Sequence, residues 1–452
     1  MFVKFILPEL QEARSDCFRN IKYSLFPPLG LAQLAGYLGN DDTAEIVDCH
    51  VDKADFNDAP DLVVIQTYIT NAKRSYAIAD AYRKRGIYVV MGGLHATSLP
   101  AEALQHADAV ITGPAHQAWQ DFLQKFRNDR AIRGIFSDSV RTLENLPMAR
   151  RDLFDRNKYL VPNSIVVSRG CPNRCNFCYT QNFFANGKSF YTSSIDRILS
   201  EINSLPGKHL FFLDDNLLAD AKFASELFSA MRGLNRRFQA AASTTAVLNE
   251  KLLDKAAQAG LRSLFIGFES INQQALIACS KLHNHVGEYN NVIKNLRDRN
   301  IMTNASFVFG LPGDTPDTFK RTVEWAVSQG VETATFHLAT PYPGTPFYQA
   351  MQEQDRILTG DWDLYDTRHA VIKHDTMTPE ELEKGYQQSY KDFYAWSNIW
   401  QSAGVKDSVK SRLRSFVYTA GWKKFDWLWQ MIIQGKKLPY CSQILEKVLD
   451  MH

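Results

Sequence analysis

Three cysteines constrain this chain more than any other feature. Cys171, Cys175 and Cys178 lie in Ser168-Arg169-Gly170-Cys171-Pro172-Asn173-Arg174-Cys175-Asn176-Phe177-Cys178-Tyr179, a C-x3-C-x2-C spacing on one tight loop. A short β-branched run, Ile165-Val166-Val167, leads into it. Three thiolates on one loop can ligate three irons of a [4Fe-4S] cluster. Such clusters normally take four thiolates. A triplet therefore implies an open iron, as catalytic metal centres keep one position free. The alternative is structural zinc, which takes four N/S ligands, commonly as two pairs. His50 or His116 would have to supply the fourth, and neither stands at ligand spacing to the triplet. The spacing, and the strand before it, favour the cluster.

A length of 452 residues allows two or three domains. The formal charge of +2 gives no reason to expect a nucleic-acid partner. Cys17, Cys49, Cys279 and Cys441 are scattered singly, which is no disulfide framework and suits a reducing cytoplasm. The first residues lack the basic-then-apolar build of a signal peptide, and no apolar run approaches the roughly 18 residues that span a bilayer. A cytoplasmic location is therefore expected.

Short apolar runs at 3–7, 44–47, 62–65, 88–91 and 109–111 alternate with helical patterns. They predict an N-terminal doubly wound parallel-sheet (Rossmann-like) α/β domain over 1–125. Ligands bind such sheets at the carboxyl ends of strands. Glycine turns fall there, at Gly92-Gly93 and at Gly113, where close backbone approach to a flat ligand is allowed. Residues 126–163, charged and rich in loop formers, read as a connector. Residues 164–345 repeat a strand–helix unit six times, with strands near 164–168, 209–213, 240–243, 264–270, 304–309 and 331–338. This predicts a partial (β/α)6 barrel with polar residues at strand ends, where barrels place their chemistry. Residues 346–452 read as a mainly helical extension, in which Thr378-Pro379-Glu380-Glu381 is a strong helix start.

The cysteine loop resembles the signature of the radical S-adenosylmethionine (SAM) enzymes. In that family the open iron binds the amino and carboxylate groups of SAM, and electron transfer releases a 5′-deoxyadenosyl radical. The N-terminal half resembles the cobalamin-binding domain fused to one branch of that family. The matching pieces are Pro27-Pro28-Leu29-Gly30-Leu31, Gly92-Gly93-x-His95-x-Thr97-x-x-Pro100-x-Glu102, and Thr112-Gly113. Two departures stand out. Asp48-Cys49-His50 matches only half of the Asp-x-His-x-x-Gly signature, since Lys53 replaces its glycine. Pro114-Ala115-His116 stands where an acidic residue is usual.

The resemblance implies roles residue by residue. Phe177 would lie against the adenine of SAM, and Asp214 and Asp215 would face its ammonium. Ser243, Glu269 and Ser270 would touch the ribose and carboxylate, and Gly310 would bring backbone near the adenine or substrate. Gly92, Gly93, His95 and Gly113 would contact cobalamin, with a loop-stabilising role as the alternative for His95. Strand-end Asp and Ser also cap helices, and that reading stays beside the first for Asp214, Asp215, Ser243 and Ser270.

The implied reaction is methylation of an unactivated carbon, with oxidative cyclisation or rearrangement as the alternative. An electron donor such as flavodoxin or ferredoxin is implied. A non-catalytic cobalamin or cluster sensor predicts loss of the triplet or of Asp214-Asp215, and both are present. The aromatic C-terminal third, including Trp362, Tyr365, Tyr390 and Phe393-Tyr394, resembles the extension of relatives that act on lipids and tetrapyrroles, which points to an apolar substrate. Residues 415–433, aromatic and bordered by Lys423, Lys424, Lys436 and Lys437, suit either an interfacial helix in peripheral membrane contact or a helix packed on the barrel.

Overall fold

Two parallel sheets follow one another along the chain in the computed structural model, which describes residues 1–13, 25–138, 140–185, 187–423, 432 and 438–450. The first comprises β1 (Phe2–Leu7), β2 (Thr43–Asp48), β3 (Leu62–Gln66), β4 (Tyr88–Gly92), β5 (Ala109–Thr112) and β6 (Gly134–Ser137). Their order is β2-β1-β3-β4-β5-β6, all parallel. Apolar side chains leave both faces of this sheet. Val3, Phe5 and Val64 meet Trp119 and Phe122 on one side, while Val63, Ile65 and Met91 meet Tyr76 and Tyr82 on the other. Double coverage is why these strands read as continuous apolar runs. The order reverses between β1 and β3, which opens a crevice at their carboxyl ends.

β6 comes from the segment expected to be a connector. Its Phe136 meets Phe122 edge-on at 5.4 Å, whereas Ile135 is 51% exposed. A four-residue edge strand buried on one side carries too little periodicity to be seen among charged neighbours.

The second sheet comprises β7 (Ser164–Ile165), β10 (His209–Phe212), β11 (Arg237–Ala242), β12 (Leu261–Glu269), β13 (Met302–Phe309) and β14 (Thr333–Leu338); a separate hairpin pairs β8 (Ser168–Gly170) with β9 (Phe190–Thr192). The barrel order is β14-β13-β12-β11-β10-β7, parallel throughout, and β7 and β14 do not close on each other. The fold is the expected partial (β/α)6 barrel. The strand expected over 164–168 is interrupted, because the backbone N–H groups of Val167 and Ser168 turn to the Asp214 carboxylate instead of a strand.

The open edge at β14 is covered by the helix Pro379–Phe393. Thr378 and Glu381 form the expected reciprocal cap, at 3.2 and 2.8 Å. The Tyr394 hydroxyl donates to Ala334 O at 3.1 Å, and the Tyr390 hydroxyl accepts from Phe336 N at 3.0 Å. These tyrosines therefore satisfy an edge strand rather than line a cavity. Trp362 packs back onto the N-terminal domain, its indole N–H donating to Glu102 at 3.2 Å, while Lys73 pairs with Asp361.

Of the segment 415–433, the described part up to residue 423 continues the helix Val409–Lys423, and residues 424–431 and 433 lie outside the described residues. The inner face of that helix packs on the barrel: Tyr418 is buried and its hydroxyl accepts from Gln239 at 3.1 Å. Its outer face exposes Leu413 and Val417 next to Trp396 and Trp400. Among the described residues no helix is long and apolar enough to cross a membrane.

Candidate active site

The cysteine loop leaves β8 and is held from beneath by the end of β10. Asp214 is buried, and its carboxylate accepts from Ser168 N, Ser168 Oγ and Val167 N. Burial pushes this carboxyl up to about 7, against the hydrogen bonds that favour its charged form. Asp215 faces the other way, accepting from Gly170 N at 3.2 Å and from the Tyr179 hydroxyl. Gln181 donates to Cys175 O at 2.7 Å, and Asn176 N to Cys279 O at 3.1 Å. The loop is thus tied to β10 and to the segment after β12.

Cys171, Cys175 and Cys178 border one cavity of about 350 Å³ at the carboxyl ends of the barrel strands. Burial pushes the Cys175 thiol up to about 11, with the Lys281 ammonium acting against it. Asn216 Nδ2 points at Cys171 Sγ from 3.9 Å, and Thr180 Oγ1 lies 3.2 Å from Cys178 Sγ. Among the described residues no three His, Cys, Asp or Glu side chains are grouped to hold a single ion. A cubane takes each thiolate on a different iron, so three thiols spread along one loop are enough to hold it. The donor set therefore fits a [4Fe-4S] cluster with one open iron.

The same cavity gathers Phe177, Asp214, Asp215, Ser243 and Glu269. Glu269 has φ 62°, a left-handed conformation that side chains rarely adopt, at an irregularity in the β12–β13 register. Such strain persists where surrounding contacts over-determine it, commonly at functional sites. A Cβ at Gly267 would come to 2.3 Å from Glu269 Oε1, so a side chain there would push the Glu269 carboxylate from its place beside Lys281. Glu269 pairs with Lys281 at 2.8 Å. Burial pulls the Lys281 ammonium down, but Glu269 and the thiols outweigh it and its affinity for the proton rises. Lys281 and His283 border the cavity and were invisible to the sequence reading, since no spacing ties them to the cysteines.

Two expected contacts fall elsewhere. Ser270 Oγ accepts from Asn272 N at 3.0 Å and caps a turn outside the cavity. Gly310, at φ 79°, opens a turn closed by Asp314, whose carboxylate accepts from Leu311 N, and packs against Leu382. Asp214, expected at the SAM ammonium, spends its hydrogen bonds on Val167 and Ser168 of the loop, while Asp215 and Glu269 border the same cavity.

A larger cavity of about 550 Å³ lies between the two sheets. Its walls include Leu7, Asp48, Gln66 and Gly93 from the carboxyl ends of β1 to β4, and Ser168, Arg169, Tyr179 and Asp215 from the barrel side. A slot of about 110 Å³ continues from it between the ends of β3, β4 and β5, bordered by Gly92, Gly93, Gly113 and His116. Gly93 has φ 104°, and a Cβ there would meet Thr67 O at 2.8 Å. A flat macrocycle with a tail fits a cavity that narrows to such a glycine-lined slot.

His95 borders neither space. Its Nε2 lies 3.3 Å from Glu102 Oε1 and its ring meets Trp362 at 5.5 Å, so the loop-stabilising role is the one the geometry supports. His50 does reach the larger cavity, but Asp48 lies 2.7 Å from its Nδ1 and Leu10 N donates to its Nε2 at 3.1 Å. Neither nitrogen is left for a metal. The missing acid after Gly113 has a substitute: Asp138, following β6, accepts from His116 N and Ala118 N at the helix start.

Comparison with known proteins agrees with both halves. Residues 165–326 match the family model of the radical SAM superfamily, and residues 22–123 that of the B12 binding domain. Bacteriochlorophyllide d C-12(1)-methyltransferase from Chlorobaculum tepidum is 30% identical over 75% of this chain and 76% of its own. The C-8(2)-methyltransferase from the same organism is 31% identical over 78% and 82%. Anaerobic magnesium-protoporphyrin IX monomethyl ester cyclase from Rubrivivax gelatinosus is 24% identical over 94% and 84%. Among solved structures, the radical S-adenosylmethionine methyltransferase TsrM from Kitasatospora setae superposes with a TM-score of 0.66 at 15% identity, covering 99% of each chain. The cobalamin-dependent S-adenosylmethionine radical enzyme OxsB gives 0.69 at 13% identity, over 99% of this chain and 80% of the other. At these identities the structures speak for the fold alone.

Proposed function

Since this chain belongs to the radical SAM superfamily, in the branch that carries a B12-binding domain, we propose that it methylates an unactivated carbon of an apolar substrate of the tetrapyrrole or lipid type. The observation that carries this reading is the shared wall between the two cavities. Asp215 and Leu213 border both the cysteine cavity and the interdomain cavity. A substrate at that wall would therefore have one carbon within reach of SAM in the cysteine cavity and of a corrinoid in the interdomain cavity. When bound, the cluster with SAM supplies hydrogen-atom abstraction and cobalamin supplies the methyl group.

The protein's own task is positioning and exclusion of water. Phe177, Asp215, Glu269 and Lys281 orient SAM over the loop that Asp214 holds. Phe26, Leu143, Leu146, Phe183 and Phe184 line the interdomain cavity with apolar side chains, which would exclude water around a corrinoid and an apolar substrate alike. The two bacteriochlorophyllide methyltransferases support a chlorin-like substrate. A second reading, oxidative cyclisation with no methyl transfer, is favoured by the similarity to the anaerobic cyclase.

Anaerobic turnover with a chlorophyllide-type chlorin, SAM and a reductant separates them. Methylation yields S-adenosylhomocysteine and a product one methyl group heavier. Cyclisation gives deoxyadenosine without S-adenosylhomocysteine. We also propose that electrons come from a flavodoxin or ferredoxin, and that the exposed face of Trp396, Trp400 and Leu413 rests on membranes that hold the substrate. Absence of co-sedimentation with anionic vesicles would remove the membrane contact.

A further inference from the structure

We propose that Arg169 binds a monoanionic phosphodiester, the one that joins the cobalamin macrocycle to its nucleotide base, where the interdomain cavity narrows into the slot. This rests on the cobalamin reading above. Arg169 borders both spaces, yet it comes from β8 of the radical SAM domain, two residues before Cys171. Its Nε is buried and has no hydrogen-bond partner. A buried guanidinium N–H left unpaired in this way is costly unless an acceptor arrives.

Among the described residues no carboxylate of the cavity is free to be that acceptor. Asp48 is engaged by His50, Glu201 by Arg151 at 2.7 Å, and Asp215 by Tyr179. Further positive charge stands close by. Arg141 has Nε and Nη1 buried without partners, and its guanidinium lies against Gly113 at the slot. Arg197 borders the larger cavity and reaches Glu201 only at 3.9 Å. The positive field is felt at His116, on the slot wall, where burial and then Arg169, Arg197 and Arg141 drive the ring down to about 3 and keep it neutral.

The ligand that fits has a large flat part for the cavity, a small aromatic part for the slot, and one negative charge between them. In cobalamin the macrocycle carries neutral amides, and the phosphodiester is the single anion between ring and base. A substrate carboxylate has the same charge, and the test separates the two sources. Arg169 would also tie cobalamin occupancy to the strand that feeds the cysteine loop.

The full chain, with its cluster reconstituted and free of cobalamin, is titrated anaerobically with hydroxocobalamin and with cobinamide, which lacks both phosphate and base. A charge-assisted bond of about 1.5–3 kcal/mol corresponds to roughly ten- to hundredfold in affinity. R169Q should lose that factor for cobalamin and bind cobinamide as the wild type does, while R169K keeps part of the preference. Iron content and melting temperature, equal in all three proteins, show that folding is intact. Equal cobalamin affinity in wild type and R169Q overturns the proposal, and if R169Q instead raises only the KM for substrate, the anion is the substrate's carboxylate. A wild type that binds neither corrinoid overturns the cobalamin reading itself, and this proposal with it.

Discussion

Glu269 holds Lys281 at 2.8 Å, and each side chain is only 10% exposed. The pair lies across the cavity bordered by the three cysteines, with the ammonium 6.0 Å from the centre of the Phe177 ring. Removing one partner of a buried pair leaves an uncompensated charge and costs about 3–5 kcal/mol. Lys281→Met should therefore lower the denaturation midpoint markedly and weaken SAM binding. Glu269→Gln combined with Lys281→Met should recover much of the stability and none of the SAM affinity. Urea titration and equilibrium dialysis with labelled SAM check the two halves.

Asp214 carries the second prediction. Asp214→Ala strips the acceptor from three buried donors on 167–168, at a cost of about 1–3 kcal/mol for an unsatisfied group. The effect should be concentrated on the cysteine loop. Iron retained after reconstitution should fall several-fold in Asp214→Ala and less in Asp214→Asn, while the far-ultraviolet spectrum is unchanged.

The barrel edge gives a third. Tyr390→Phe and Tyr394→Phe each remove one hydroxyl from β14, worth about 1 kcal/mol in unfolding free energy. The double variant leaves the Ala334 and Phe336 backbone groups of that edge without these partners, and it should self-associate on mild heating where the single variants do not. Light scattering during a thermal ramp reads this directly.

Acid sensitivity follows from buried histidines. Burial holds His209 down to about 4, although Gln239 supports it, and His283 is also driven down to about 4. Each is neutral when folded and takes a proton when unfolded between its folded value and about 6.5. The unfolded state then binds more protons, so stability falls as pH drops through that window. At pH 5 the loss is about 2 kcal/mol for the fully buried His209. A His209→Gln variant should show a shallower decline in melting temperature from pH 6.5 to 5 than the wild type.

These residues also show what a sequence can carry. The cysteine loop, the parallel strands and the capped helix at Thr378 are local patterns, and they stand where they were read except for the strand at 164–168, which breaks after Ile165. What escaped is what only the fold brings together. Lys281 reaches the cysteines through a bulge at Gly267 and the left-handed Glu269, and Asp138 reaches the helix at His116 through the unrecognised β6. The aromatic stripe with Tyr390 and Tyr394 pointed to an apolar substrate, but a stripe says nothing of which surface it meets, and these two meet the β14 edge. Gly310 and Ser270 stand at strand ends, but their turns fold away from the cavity.

The most direct test of the account is deoxyadenosine formation by the wild type and Cys175→Ala after anaerobic reconstitution with iron, sulfide and hydroxocobalamin. The wild type should hold about four iron and four sulfide per chain and release 5′-deoxyadenosine from SAM on reduction, while Cys175→Ala holds no intact cluster and releases none. A single zinc in the wild type with no deoxyadenosine, or deoxyadenosine from Cys175→Ala, contradicts it.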